Sequence, residues 1–232
     1  MRKIARRIKI LIMAAIGRGL NEKPDLKCKT VRIGSAYGGW NVVSESIRPE
    51  SVVYSFGVGE DASFDIGMID RFGVQIHAFD PTPKSIDWVK RQGFPARFVM
   101  HEYGIASFDG NVRFNPPEKT DQVSHTLLEK PSTEARAIIV PVKRLATIMN
   151  ELGHDRIDVL KMDIEGAEYD VIDDLLKSEI RPLQLLVEFH HRFPNVGVEK
   201  SKEAIRKLKS SGYRMVSVSS TNEEFGFVYS PR

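Results

Sequence analysis

The sequence predicts an α/β fold, a doubly wound and mostly parallel sheet closed by a C-terminal antiparallel hairpin. Three observations predict it. Short β-branched and aromatic runs alternate with helical stretches from residue 51 onward. The apolar runs end in acidic or glycine-bearing turns, as at Gly57, Asp80 and Asp163. The last two runs have no helical stretch between them, so they pair as a hairpin.

Residues 51–56 form a short apolar strand that runs into Gly57 and Gly59, and a helix follows from 63 to about 71. Residues 74–79 are a second strand, stopped by Asp80-Pro81-Thr82-Pro83. Thr82 is a good N-cap and Pro83 suits the first helical position, so a helix runs toward Gly93. Residues 96–105 read as a third strand. Asp109-Gly110 is then a two-residue turn, with 112–114 as the returning strand. Residues 115–136 are polar, with Pro116, Pro117 and Pro131, and read as a long loop of the kind that serves as a lid or binding segment. Residues 138–142 and a helix near 143–152 lead back to the sheet. A fourth strand over 157–164 feeds a helix over 165–178, with Val171, Ile172, Leu175 and Leu176 toward the core. The fifth strand is 183–189, and a helix over 201–211 is closed by Gly212. The hairpin is 213–219 with 225–229. One domain accounts for residues 31–232, preceded by an arm over 1–30.

Composition narrows the function classes. At 41% hydrophobic and 28% charged residues the chain is ordinary for a globular protein, which excludes collagen-like and disordered classes. The single cysteine, Cys28, excludes a disulfide scaffold and a thiolate zinc cluster, and one free thiol suits the cytoplasm. The net charge of +3 divides unevenly. Residues 1–32 carry ten Lys/Arg and two acids, whereas 33–232 carry 24 Lys/Arg and 29 acids. The apolar run Ile10 to Ile16 is far shorter than the ~20 residues that span a bilayer. On a helical wheel Ile4, Ile8, Leu11, Ala15 and Ile16 share a face beside a cationic one. Such a helix suits contact between residues 1–20 and an anionic membrane surface, or packing on the body. The arm has no aromatic residue before Tyr37 and no recognised nucleic-acid motif follows, so nucleic acid is not an expected partner.

In a doubly wound sheet, ligands bind beyond the carboxyl ends of the strands where strand order reverses. Those ends are acidic here: Glu60 and Asp61, Asp80, Asp163 and Glu165, Glu188 with His190 and His191. Gly57-Val-Gly-Glu-Asp-Ala62 has G-x-G-x-x-A spacing, and Asp80 lies 23 residues after Gly57, as in a dinucleotide fingerprint. An NAD-dependent oxidoreductase is therefore one reading. Glu60 and Asp61 would repel a pyrophosphate there. S-adenosylmethionine (SAM) has an ammonium, a sulfonium and a ribose instead, all compatible with carboxylates. Gly57, Gly59, Glu60, Asp80 and Asp163 are the candidate cofactor-binding residues, with Asp80 accepting both ribose hydroxyls. Asp163 with His190 or His191 forms the candidate catalytic set, because an imidazole beside Glu188 can act as general base toward a hydroxyl. Asp163 and these groups also have the chemistry of divalent-metal ligands, but the sequence assigns no metal. Glu165 suits either the site or a helix N-terminus. His77 reads as a core histidine and His125 as part of the long loop. Gly34 to Trp40 reads as a tight turn that sets Tyr37 or Trp40 over the pocket, or that packs Trp40 in the core.

Ser55-Phe-Gly-Val-Gly-Glu-Asp61, His77-Ala-Phe-Asp-Pro-Thr-Pro83 and above all Leu160-Lys-Met-Asp-Ile-Glu-Gly-Ala-Glu168 resemble the FkbM-type SAM-dependent methyltransferases over roughly residues 34–230. The resemblance implies a Rossmann-like class I methyltransferase fold with SAM as cofactor, contacts to it from Gly57, Gly59 and Asp80, and O-methylation of a natural product or sugar. Glu60-Asp61 departs from the alanine-asparagine type of many members. A third reading is a binding module that keeps this fold without the chemistry.

The charge division makes the first prediction. The full chain is expected to co-sediment with anionic vesicles but not zwitterionic ones, and to be released as salt rises. Equal retention on both vesicle types would count against surface attachment by the arm.

Overall fold

The computed structural model describes residues 19–114, 138–193 and 195–231, with isolated positions between 8 and 17. The expected basic helix and the loop around His125 lie outside the described residues, except that Ile8 and Ile16 of the helical face are 51% and 57% exposed. No described helix is long and apolar enough to cross a membrane.

The chain begins with a small hairpin, β1 (Val31–Ile33) and β2 (Trp40–Val42). The first winding is β3 (Val52–Phe56), α1 (Ser63–Phe72), β4 (Gln75–Phe79), α2 (Pro83–Gln92) and β5 (Phe98–His101). A side sheet follows from β6 (Gly104–Ile105), β7 (Gly110–Phe114) and β8 (Ile138–Lys143), leading into α3 (Leu145–Leu152). The second winding is β9 (Val159–Met162), α4 (Glu168–Lys177), β10 (Gln184–Glu188) and α5 (Val198–Ser210). Strands β11 (Tyr213–Val218) and β12 (Glu224–Tyr229) close it.

The main sheet has the order β11-β12-β10-β9-β3-β4-β5. Its five inner and left-winding strands run parallel, and β12 lies antiparallel between β10 and β11. The order reverses between β3 and β9, so the carboxyl ends of these two strands flank the crevice. Side chains alternate between the faces as a two-residue period requires. Tyr54, Phe56, Leu160, Met162, Leu185 and Val187 join one core, while Val53, Val159 and Leu186 join the other. Lys161 shares its parity with Val159, which puts a lysine on the face covered by α1 and the β1–β2 hairpin.

Two local expectations are corrected. The third strand does not run unbroken over 96–105, and the strand after Asp109-Gly110 does not return beside it. Instead β7 pairs antiparallel with β8, from Gly110 opposite Val142 to Phe114 opposite Ile138, and β6 pairs parallel with β8. The physical reason lies in Asp109. Its carboxylate accepts the Arg144 N–H (2.8 Å) and the Thr147 hydroxyl (2.8 Å) at the start of α3, so it serves that helix rather than a two-residue hairpin. The helix expected over 165–178 also starts three residues late. Glu165 (φ 54°) and Gly166 (φ 106°) lie in the left-handed region, which an α-helix cannot include.

Residues 40–46 are tied to the sheet by one buried side chain. Gln184, 2% exposed, accepts the Val43 N–H (2.8 Å) and donates to the Val43 carbonyl and the Ser46 hydroxyl (both 2.9 Å). Gln184→Leu would leave the Val43 N–H without its partner, while the Ser46 hydroxyl still donates to the Val43 carbonyl at 3.1 Å. Urea unfolding is expected to show a loss of about 1–3 kcal/mol on this basis. An unchanged midpoint would mean that this segment does not stabilise the domain.

Candidate active site

The ends of β3, β4, β9 and β10 enclose a cavity of about 610 Å³, also lined by Tyr37, Trp40 and Phe114. Its floor is the glycine loop after β3. Gly57 adopts φ +83°, and its N–H donates to the Phe79 carbonyl at 3.0 Å. A Cβ on Gly57 would stand 1.8 Å from the Asp163 carbonyl oxygen, so glycine is required for the close approach of the two strand ends. Lys161, 5% exposed, donates through Nζ to the Gly57 carbonyl (2.9 Å) and the Phe56 carbonyl (3.3 Å), and lies 5.7 Å from the Trp40 ring. The loop is thereby gripped from the β4 side and the β9 side at once.

The expected cofactor residues occupy this half of the cavity. Asp80 is 5% exposed and its Oδ2 accepts the Gly59 N–H at 3.0 Å. Its Oδ1 accepts the Thr82 N–H (2.9 Å) and hydroxyl (2.6 Å). Asp80 therefore organises the loop and has spare acceptor capacity on Oδ2, rather than offering both oxygens freely to a ribose. Glu60 lies on the rim in an ion pair with Lys84 at 3.0 Å. Asp61 accepts the Ser63 N–H and the Ser35 hydroxyl, each at 2.8 Å, and these bonds hold its carboxyl below the usual range against the cost of burial. Lys84 thus offsets part of the loop's negative charge at Glu60, whereas Asp61 is committed to the loop and stays ionised.

The other half is built by the turn after β9. Glu168, fully buried, accepts the N–H of Ile164 (3.1 Å) and of Gly166 (3.1 and 3.2 Å), which holds Glu165 in its left-handed conformation. The same Glu168 binds His190 Nδ1 at 2.8 Å. His190 Nε2 then points at Glu165 (3.3 Å) and Asp163 (3.6 Å). Glu188 and Glu223 line the wall beside them.

This setting changes the expected role of the histidines. Burial by itself favours the neutral imidazole of His190. The charge and hydrogen bond of Glu168, with Glu165 and Asp163 behind them, override it and push the pKa up to about 10. At neutral pH the ring therefore holds its proton and is no free base. His191 is corrected outright. It is 4% exposed, does not line the cavity, and donates through Nδ1 to the Phe189 carbonyl at 3.2 Å. Burial, aided by Arg192, pulls it down to about 4. Adjacent residues of an extended segment face opposite ways, so only one of the pair reaches the cavity. Burial and the charge of Asp163 push Glu188 up to about 9, and burial raises Asp163 too.

Sequence reasoning missed Lys161, Glu168 and Glu223 as site residues. A lysine inside the apolar run Val159–Met162 was a readable signal, because a strand buries a cation only for a partner. Glu168 looked like an ordinary first-turn acid, and nothing local marks Glu223. His77 is a core histidine as expected, 8% exposed and 3.1 Å from the His101 ring nitrogen. Trp40 both packs in the core and lines the cavity.

The model of the FkbM methyltransferase domain matches residues 47–215, well over half of the chain. The chain belongs to the FkbM methyltransferase family. Two curated relatives are named probable methyltransferase-like protein 24. The one from Rattus norvegicus is 28% identical over 79% of this chain and 43% of its own length, and that from Homo sapiens 27% identical over 72% and 40%. The chain thus spans less than half the length of the curated relatives it matches. The crystal structure of methyltransferase FkbM from Methylobacillus flagellatus KT has a TM-score of 0.50 at 15% identity, covering 79% of this chain and 44% of that one. That likeness concerns the fold, which is the class I methyltransferase fold. Membership places the chain in a methyltransferase family and leaves the oxidoreductase reading disfavoured.

In this member of the FkbM family, the two histidines are expected to titrate in opposite directions. In chelator-treated protein, imidazole NMR should show His190 protonated through pH 8 and His191 neutral down to about pH 4. The sign for stability follows. The folded His190 pKa exceeds the unfolded value of about 6.5, so its contribution is complete below that value and is lost as pH rises through about 10. A His190 resonance titrating near 6.5 would refute the carboxylate cage.

Proposed function

We propose that the chain binds SAM along the glycine loop and methylates a hydroxyl oxygen of a small-molecule or sugar-containing acceptor. One observation carries this reading. A single cavity joins the Gly57–Asp80 loop to the carboxylates of Asp163, Glu165 and Glu188. Residues present at the loop suit the cofactor: the glycine backbone allows close approach, and Asp80 keeps acceptor capacity for a ribose hydroxyl, while Asp163 stands with Glu165 and His190 in the other half. Bound SAM supplies an electrophilic methyl group on a sulfonium.

The chain's own residues then have three tasks. The loop and Trp40 hold one reactant while the carboxylate wall orients the acceptor, and alignment of the two is the main source of rate in a direct displacement. The aromatic and apolar lining of Phe56, Phe79 and Ile105 keeps water from the methyl group. The acceptor hydroxyl gives its proton to Glu188, whose elevated pKa makes its ionised form a stronger base than an ordinary carboxylate. Glu188 takes the role that the sequence assigned to a histidine.

Calorimetric titration with SAM and with its demethylated product tests the reading, and binding of neither would sink it. With an accepted substrate, Glu188→Gln is expected to lower kcat by about 10²–10⁴-fold while product affinity is unchanged. Because the base acts ionised, wild-type kcat should rise with pH toward about 9. Cofactor binding without transfer to any hydroxyl acceptor would favour the non-catalytic module.

A further inference from the structure

We propose that Asp163, Glu165 and His190 form a divalent-cation site at the acceptor end of the cavity. Its purpose rests on the methyl-transfer reading above; its existence rests on geometry. One oxygen of each carboxylate and Nε2 of His190 all lie within 4.8 Å of one another. Neighbouring ligand atoms on an octahedral ion with bonds of about 2.1 Å stand about 3 Å apart. Nε2 is 3.3 Å from Glu165 and 3.6 Å from Asp163, so small rotations bring all three onto one ion.

The imidazole supplies the second observation. The His190 side chain is only 9% exposed; Nδ1 is held by Glu168, and Nε2 faces the Glu165 and Asp163 carboxylates, where a bound cation would take the place of its proton. A buried carboxylate behind a histidine, turning its far nitrogen toward other ligands, is the arrangement that orients a metal-binding imidazole. Glu168 is itself pinned by the backbone N–H groups of Ile164 and Gly166. The ligands thus sit on a braced turn rather than on mobile side chains.

Two carboxylate oxygens and one imidazole suit Mn²⁺ or Mg²⁺, and three protein ligands leave positions for other oxygens. The acceptor class follows: a molecule with adjacent oxygens, such as a vicinal diol or a hydroxyl beside a carbonyl. The Asp163 carbonyl abuts Gly57, so the ion would lie beside the donor's loop. Glu188, whose carboxylate makes no hydrogen bond to a described residue, stays available for the acceptor's proton.

The test uses the full chain, stripped with chelator and titrated with MnCl₂ while the paramagnetic resonance of free Mn²⁺ is followed. One bound equivalent is expected. Glu165→Gln should abolish it, and Glu168→Gln should weaken it by about 10–100-fold by releasing the imidazole. Thermal melts of each variant separate misfolding from lost ligation, and Glu165→Gln alters a partly exposed turn. Mn²⁺ remaining free at millimolar concentration, or equal binding by folded Glu165→Gln and His190→Gln, would overturn the site. The demethylated cofactor product is titrated into the same samples. Product binding without Mn²⁺ binding removes only this inference, whereas the converse removes only the SAM reading.

Discussion

The contact between Gly57 and the backbone of Asp163 is what the rest of the site depends on. It joins the ends of β3 and β9, the two strands between which the sheet reverses its winding, at a separation that excludes even a methyl group. Because the strands meet there, the glycine loop and the acidic turn face one cavity instead of two. Lys161 keeps the contact closed. Its ammonium spans the carbonyls of Phe56 and Gly57 from the neighbouring strand; the Phe56 carbonyl also accepts the Asp163 N–H, so an apolar side chain would chiefly deprive the Gly57 carbonyl of its donor.

A second layer of organisation comes from Glu168. One buried carboxylate serves the N–H groups of a strained turn and the ring of a histidine at the neighbouring strand end. The strain at Glu165 is local, and the hydrogen bonds that hold it are local too, yet the result is to bring Asp163, Glu165 and His190 together. Clustered carboxylates repel one another, and here that repulsion is offset by one imidazolium or by one added cation. The acceptor half of the cavity therefore favours positive charge, while in the loop half Glu60 pairs with Lys84 and Asp61 is held ionised by hydrogen bonds from Ser35 and Ser63.

Much of this was legible in the linear order of residues. The strand and helix alternation survives with shifts of a few residues, because the strands of the parallel sheet are mostly apolar runs and each helix has its own stop in glycine or serine. The glycine loop, Asp80, Asp163 and Glu165 line one cavity because strand ends in a doubly wound sheet share one edge. The side sheet was not legible. Asp109-Gly110 has the residues of a hairpin turn, and only the distant α3 reveals that the aspartate is engaged elsewhere.

Periodicity and motif spacing by themselves determined the α/β architecture, the terminal hairpin and the family to which the chain belongs, since these depend on local order. Tertiary structure decided the ionic character of the site. Which of two adjacent histidines faces the cavity depends on where the chain leaves β10. Whether that histidine is a free base depends on three carboxylates brought from another strand end. Proton affinity is set by neighbours in space and by burial, neither of which is written in the spacing of residues along the chain.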